Sequence, residues 1–189
     1  MPKCKTNALH LPLLLVITGR PGSGKSTLAA AVAQHLGWRA IHRDDFAVAH
    51  TTGLIAHQDV NAAFFDAVFT HLATGRCCVI EAAFQHARWV APLTAATEYA
   101  QVALVRCTID QALALARIEQ RMTIDPTRRS LHHDDAYVTQ MRQQQTAPMW
   151  DSIHMELPTL NVDATVPVVA NVSAIQTFVA SLSNKDIKK

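Results

Sequence analysis

Short apolar runs alternate with longer amphipathic stretches along most of the chain. Leu13-Leu14-Leu15-Val16-Ile17 is a continuous hydrophobic run with no polar alternation, as expected for a parallel strand covered on both faces. Comparable short runs at Trp38 to His42, Cys77 to Ile80, Val102 to Cys107 and Leu160 to Val162 predict four further strands. The intervening stretches follow the helical period. Ser26 to Leu36 is alanine-rich and closed by Gly37, and Gln58 to Thr74 places Val60, Phe64, Val68 and Leu72 at four-residue steps before Gly75. Further helices are predicted over His86 to Tyr99, with Pro92 as a kink, and over Asp110 to Met122, Asp134 to Met149 and Ser173 to Leu182. Ile124 to Ser130 reads as a basic, proline-broken loop.

Strand–helix alternation of this kind predicts an α/β three-layer sandwich around a parallel sheet. At 189 residues the chain is long enough for one such domain to bury its own core, and no repeat or linker divides it. Composition changes this picture little. Hydrophobic residues make up 49% and charged residues 17%, and the net charge of +2 is too mild to point to a nucleic-acid partner by itself. The ten histidines are scattered, with no zinc-ligand spacing. Of Cys4, Cys77, Cys78 and Cys107, the adjacent pair falls inside a predicted strand, where their side chains would face opposite ways as small buried hydrophobes. Lys3, Lys5 and the apolar run from Leu9 to Ile17 resemble a secretory leader, but the run passes directly into a glycine-rich motif with no small-residue cleavage site. A buried strand and a soluble, cytoplasmic protein are therefore expected.

The chemistry begins at that glycine-rich motif. Gly19-Arg20-Pro21-Gly22-Ser23-Gly24-Lys25-Ser26 matches the Walker A pattern at every fixed position, between a predicted strand and a predicted helix. Glycines let the backbone curl so that successive N–H groups point inward at phosphate oxygens. Lys25 brings a point charge to the β- and γ-phosphates, the Ser26 hydroxyl is a Mg²⁺ ligand, and Thr27 follows at the start of the helix, whose N-terminus adds its partial positive charge. Gly19, Pro21, Gly22, Ser23, Gly24, Lys25, Ser26 and Thr27 are accordingly the candidate ATP-binding residues. Glu81, closing the third strand, stands where a Walker B carboxylate would hold Mg²⁺, directly or through water. A GTPase would need an Asn-Lys-x-Asp and a switch Asp-x-x-Gly, both absent. A ring-forming motor would need a second helical domain. Small kinases are the class that remains.

The P-loop followed by His42-Arg43-Asp44-Asp45-Phe46 resembles the P-loop kinases around polynucleotide 5′-hydroxyl kinase, including zeta-toxin-like and chloramphenicol-phosphotransferase-like proteins, grouped as AAA_33-type kinases. The resemblance implies a five-stranded parallel sheet of order 2-3-1-4-5 with ATP on the P-loop. It also implies that the aspartate after the second strand, here Asp44, is the general base for an acceptor hydroxyl. The chemistry agrees, because a hydroxyl must lose its proton as it attacks phosphorus, whereas a phosphate acceptor needs no base. Asp45 is read as a turn cap. The group's arginine shortly after the paired aspartates is missing, since Phe46-Ala47-Val48-Ala49 carries no cation, which argues against a nucleic-acid acceptor.

A small arginine-bearing lid is expected over about 117–133, with Arg117 and Arg121 on one helix face and Arg128 and Arg129 beyond. Arg121 and Arg128 are the catalytic candidates, since cations must meet the charge spreading over the transferring phosphoryl group. Gln85 and Arg88 could reach the acceptor or phosphates, and Gly53 to Asn61, with His57 and Asp59, is expected to face the acceptor. Asn161 to Thr165 could line the adenine pocket or form a plain turn. Asp134 is expected to cap a helix. Three functional readings stay open: a kinase acting on a small-molecule hydroxyl, a nucleic-acid 5′-hydroxyl kinase, and a non-catalytic ATP-binding regulator. Neither oligomeric state nor acceptor identity can be read from the residues.

Overall fold

The computed structural model of the chain describes residues 11–52, 60–124, 134–143 and 152–183. Five strands, β1 (Leu13–Gly19), β2 (Arg39–His42), β3 (Cys78–Glu81), β4 (Gln101–Thr108) and β5 (Thr159–Asp163), form one sheet in the order β2-β3-β1-β4-β5. All four pairings are parallel, as the resemblance implied. The helices are α1 (Lys25–Leu36), α2 (Arg43–Thr51), α3 (Val60–Leu72), α4 (His86–Ala96), α5 (Gln111–Ile124), α6 (Asp134–Gln143) and α7 (Val168–Ser183).

Because β1 is buried on both faces, its residues alternate between two cores. Leu14 and Val16 meet Phe64, Val68 and Leu72 of α3 and Trp89 and Leu93 of α4. Leu15 and Ile17 meet Leu28 and Val32 of α1 and Val172, Ile175 and Val179 of α7. Cys77 and Cys78 divide between the same two cores, and burial pushes the Cys78 and Cys107 thiols up to about 12. They behave as the buried hydrophobes expected of them. Fully buried Phe64 sits among Phe46, Phe65, Phe84 and Trp89, with ring centroids 5.2–6.4 Å from its own. Removing each such side chain from water contributes about 1.5–3 kcal/mol.

The structure departs from the sequence expectations at α2. The segment after His42 reads as a turn, yet Arg43–Thr51 is a nine-residue helix starting where β2 stops. None of its residues is fully buried, and its N-cap residue makes no side-chain cap bond. Tertiary contacts hold it instead: Phe46 packs edge-on against Phe64 at 5.8 Å, and Arg43 Nε donates to Asn61 Oδ1 at 3.3 Å. α7 also begins earlier than expected, directly after Pro167, whose fixed φ suits a helix start. The ends of two expected helices, Gln58–Asp59 and 144–149, lie outside the described residues. No helix among those described is long and apolar enough to cross a membrane.

Candidate nucleotide and phosphoryl-transfer site

The P-loop leaves the carboxyl end of β1, the middle strand of the sheet, and turns into α1. Gly22 and Gly24 take positive φ of 83° and 73°, a region costly for any residue with a Cβ. Space also constrains Gly22, because a Cβ there would run into the carbonyl oxygen of Ala114 on α5. The loop closes on a Ser23 N to Arg20 O bond of 3.1 Å. α1 starts with Gly24 as N-cap, no side-chain cap and no acidic residue in its first turn. The first intrahelical bond runs from Leu28 N to Gly24 O, so the amides of Lys25, Ser26 and Thr27 precede the helical ladder. Three N–H groups and the positive end of α1 are thus presented together, and they suit an anion.

Glu81 stands beside this loop, aligned with Ile17 of β1 on one side and His42 of β2 on the other. Its side chain is 3% exposed, with Oε1 3.6 Å from Lys25 Nζ and Oε2 3.1 Å from His42 Nδ1. Burial alone would raise the carboxyl pKa, but the His42 hydrogen bond, the Lys25 charge and a Ser26 hydrogen bond together hold it below the usual value. His42 is pushed the other way: its bond to Glu81 outweighs desolvation and, helped by Glu81, Asp45 and Asp44, raises it above the ordinary histidine range. Sequence reasoning assigned His42 nothing. Its place is set by the β2–β3 register, which one chain segment does not reveal.

Asp44 lies in the first turn of α2 and not on the strand itself. There the helix N-terminus favours a carboxylate. Its side chain is 32% exposed and approaches Arg43 Nη1 at 4.0 Å, and its charge reaches His42. Asp45 is exposed in the same turn and makes no N-cap bond. Asp44, His42, Glu81, Lys25 and Ser26 therefore form one contiguous electrostatic cluster.

From the other side, α5 brings Arg117 and Arg121 over the loop. Both line a cleft with Gly22, Gly24, Lys25, Ser26 and Thr27, so their expected common face is the one turned to the phosphate cradle. Arg117 is not paired along its own helix: Nη2 donates to the Ala164 carbonyl at 3.2 Å, while Glu119 pairs with Arg142 of α6. Arg117 also lines a second cleft of about 390 Å³ with Thr27, Val162, Ala164, Thr165 and Pro167. The turn after β5 borders this cleft, and Asp163 shapes it by accepting from the Thr165 amide and hydroxyl at 2.8 and 2.7 Å. Gln85 precedes α4 and bridges to Ser152, and Arg88 is exposed on that helix. Arg128, Arg129, His57 and Asp59 lie outside the described residues.

A glycine-lined anion cradle at the end of the middle strand of a 2-3-1-4-5 sheet, flanked by a buried carboxylate and overhung by arginines, defines a P-loop fold of the kinase type. The chain belongs to the AAA_33 family, an AAA domain, whose family model matches residues 14–148. Among solved structures, a candidate kinase from Chloroflexus aurantiacus J-10-fl shares 20% identity, with a TM-score of 0.72 over 92% of this chain and 98% of that one. A gluconokinase from Sinorhizobium meliloti 1021 shares 19%, with a TM-score of 0.57 over 93% and 96%. A sugar kinase from Janibacter sp. HTCC2649 shares 15%, with a TM-score of 0.59 over 89% and 95%. A chain of the Pnkp1/Rnl/Hen1 RNA repair complex shares 21%, with a TM-score of 0.57 over 80% of this chain and 52% of that one. No curated protein matches the chain.

Proposed function

We propose that this protein is a kinase that transfers the γ-phosphate of ATP to a hydroxyl of a small-molecule acceptor. The observation that carries this reading is the cluster just described: a phosphate cradle, Lys25 and Ser26 gathered on buried Glu81, and a second carboxylate, Asp44, at the neighbouring strand end. ATP phosphates occupy the cradle built by Gly19 and by Pro21 to Thr27 in this reading, and the cleft between Arg117 and the turn after β5 receives the base.

Mg²⁺ fits the donors present. The Ser26 hydroxyl stands near enough to the Glu81 carboxylate to help hold its charge, and no set of three or more His, Cys, Asp or Glu ligands occurs among the described residues. Two hard oxygen donors suit an ion that keeps several waters and takes the rest of its shell from substrate phosphates. When bound, it neutralises charge on the β- and γ-phosphates.

The acceptor oxygen attacks the γ-phosphorus as the bond from phosphorus to the ADP oxygen breaks, and Asp44 takes the hydroxyl proton. Lys25, Arg117 and Arg121 meet the charge on the transferring group, and Arg128 is proposed to join them. The names of the gluconokinase and sugar-kinase neighbours support a small polyol acceptor. The likeness to the RNA repair complex keeps 5′-hydroxyl oligonucleotides among the substrates to be tried.

The test is ATP turnover with Mg²⁺ against sugars and sugar acids, nucleosides, aminoglycoside and phenicol antibiotics and 5′-hydroxyl oligonucleotides, comparing wild type with Asp44→Asn. Acceptor-stimulated turnover that falls by about 10²–10⁴-fold in the variant, at nearly unchanged nucleotide affinity, is the expected result. Binding of ATP with no stimulation by any acceptor would point to the regulator instead.

A further inference from the structure

A second pocket opens on the far side of the P-loop entry. Arg106 follows Val105, which packs with the α1 core, and Thr18 follows Ile17 in the same way, so both project toward the α3–α4 side. With Gly19, Arg20, Thr108 and Ser152 they line a cavity of about 220 Å³. None of these residues lines the cleft under Arg117 and Arg121 that holds Lys25 and Ser26, so the two recesses are distinct although the P-loop borders both.

Among the described residues the charge in this pocket has no carboxylate counterpart. Arg106 spends Nη2 on the Ile153 carbonyl, and its Nε is buried without a hydrogen-bond partner among the described residues. Among the described residues Arg20 donates to the Gln111 side-chain oxygen, at 3.5 Å, and its charge also reaches the Tyr137 phenol. Among the described residues no carboxylate pairs with either guanidinium and none lines the cavity. Thr18 Oγ1 accepts the Phe84 amide at 3.1 Å, which leaves its O–H to donate. A half-buried guanidinium gives up hydration and usually regains it from a carboxylate or phosphate, whose paired oxygens match its planar fork. Among the described residues no such partner stands here.

We infer that the acceptor carries an anionic group of its own, and that Arg20 and Arg106 receive it in this pocket. The inference rests on the kinase reading for the word acceptor, but the pocket's anion binding can be measured without it. The class is a polyhydroxy compound bearing a carboxylate or a phosphate, anchored beside the P-loop so that a hydroxyl elsewhere on it reaches the γ-phosphate.

The test fills the P-loop first. The full chain is loaded with Mg²⁺ and a non-hydrolysable ATP analogue, then titrated calorimetrically with gluconate, with ribose 5-phosphate and with neutral sorbitol. At least one anion should bind 10-fold or more tighter than sorbitol, and which of them does so distinguishes carboxylate from phosphate. Arg106→Gln and Arg20→Gln should each weaken that anion by about 10-fold or more, the loss of a charge-assisted hydrogen bond, with the analogue's affinity within about twofold. Arg106 also supports the Ile153 carbonyl, so if its variant melts early, Arg20→Gln carries the test. Anions that bind no better than sorbitol, or variants that keep wild-type anion affinity, would overturn the inference. Turnover separates the two claims: phosphorylation of sorbitol indifferent to Arg106 and Arg20 sinks the anion pocket and leaves the kinase, whereas anion binding without transfer does the reverse.

Discussion

Replacing His42 by alanine isolates the interaction that ties β2 to the buried carboxylate of the site. The lost bond runs from Nδ1 to Glu81 Oε2 at 3.1 Å, with the histidine side chain 22% and the glutamate 3% exposed. Hydrogen bonds to a charged group contribute about 1.5–3 kcal/mol, and one kcal/mol moves Tm by about 2–4 °C in a chain of this size. The variant should therefore melt about 3–12 °C below wild type, without nucleotide, wherever the imidazolium is present. The sign of the pH dependence follows from the direction of the shift. The His42 pKa is raised on folding, so its contribution is complete below about pH 6.5 and is lost as pH rises through the folded value. The Glu81 pKa is lowered, so its charge persists down past the ordinary glutamate range. Melts from pH 5 to pH 9 should then show a gap between wild type and His42→Ala that is widest near pH 5–6. Above the folded pKa the gap should shrink to about half, because a neutral imidazole still donates one ordinary hydrogen bond. A gap that stays constant, or widens with pH, would refute the ion-pair account of His42.

Three other substitutions probe the rest of the site. Lys25→Ala should abolish nucleotide turnover while the fold is retained by circular dichroism; it should also cost roughly 1–3 kcal/mol without ligand, because Glu81 loses one of its three partners. Gly22→Ala should lower stability by at least about 1–2 kcal/mol, from the left-handed backbone alone. The added collision with the Ala114 carbonyl should further weaken binding of a fluorescent ATP analogue, since relief requires α5 or the phosphate loop to move. Arg117→Ala should weaken the same analogue by about 10-fold, a loss of roughly 1.4 kcal/mol, because Arg117 borders both the phosphate cradle and the cleft beside Ala164. Unchanged affinity would remove Arg117 from the nucleotide site.

Much of this site could be read from the residues in order, and the reason is physical. A phosphate cradle is made of consecutive backbone amides, so its recipe of glycines, lysine and serine must be contiguous, and Gly19 to Ser26 displays it whole. Parallel strands buried on both faces are apolar almost throughout, which marked β1, β3 and β4, while the edge strands β2 and β5 showed only as short apolar runs; alternation placed Cys77 and Cys78 on opposite faces. Glu81 was legible because a carboxylate ending such a strand is out of place unless it has work to do.

Other features required the fold. α2 is short, carries no fully buried residue, and is held because Phe46 finds Phe64, a residue on another element. His42 meets Glu81 only because β2 lies beside β3 in a register that aligns the two. Arg106 looks like any cation near the end of a strand until β1 and β4 pair and bring it and Arg20 to one cavity in which no carboxylate stands among the described residues. Side-chain clusters draw on residues far apart in the chain, and their members carry no common spacing. Sequence alone determined the phosphate-binding loop and the layered fold around it; strand pairing and helix packing decided which charges meet there.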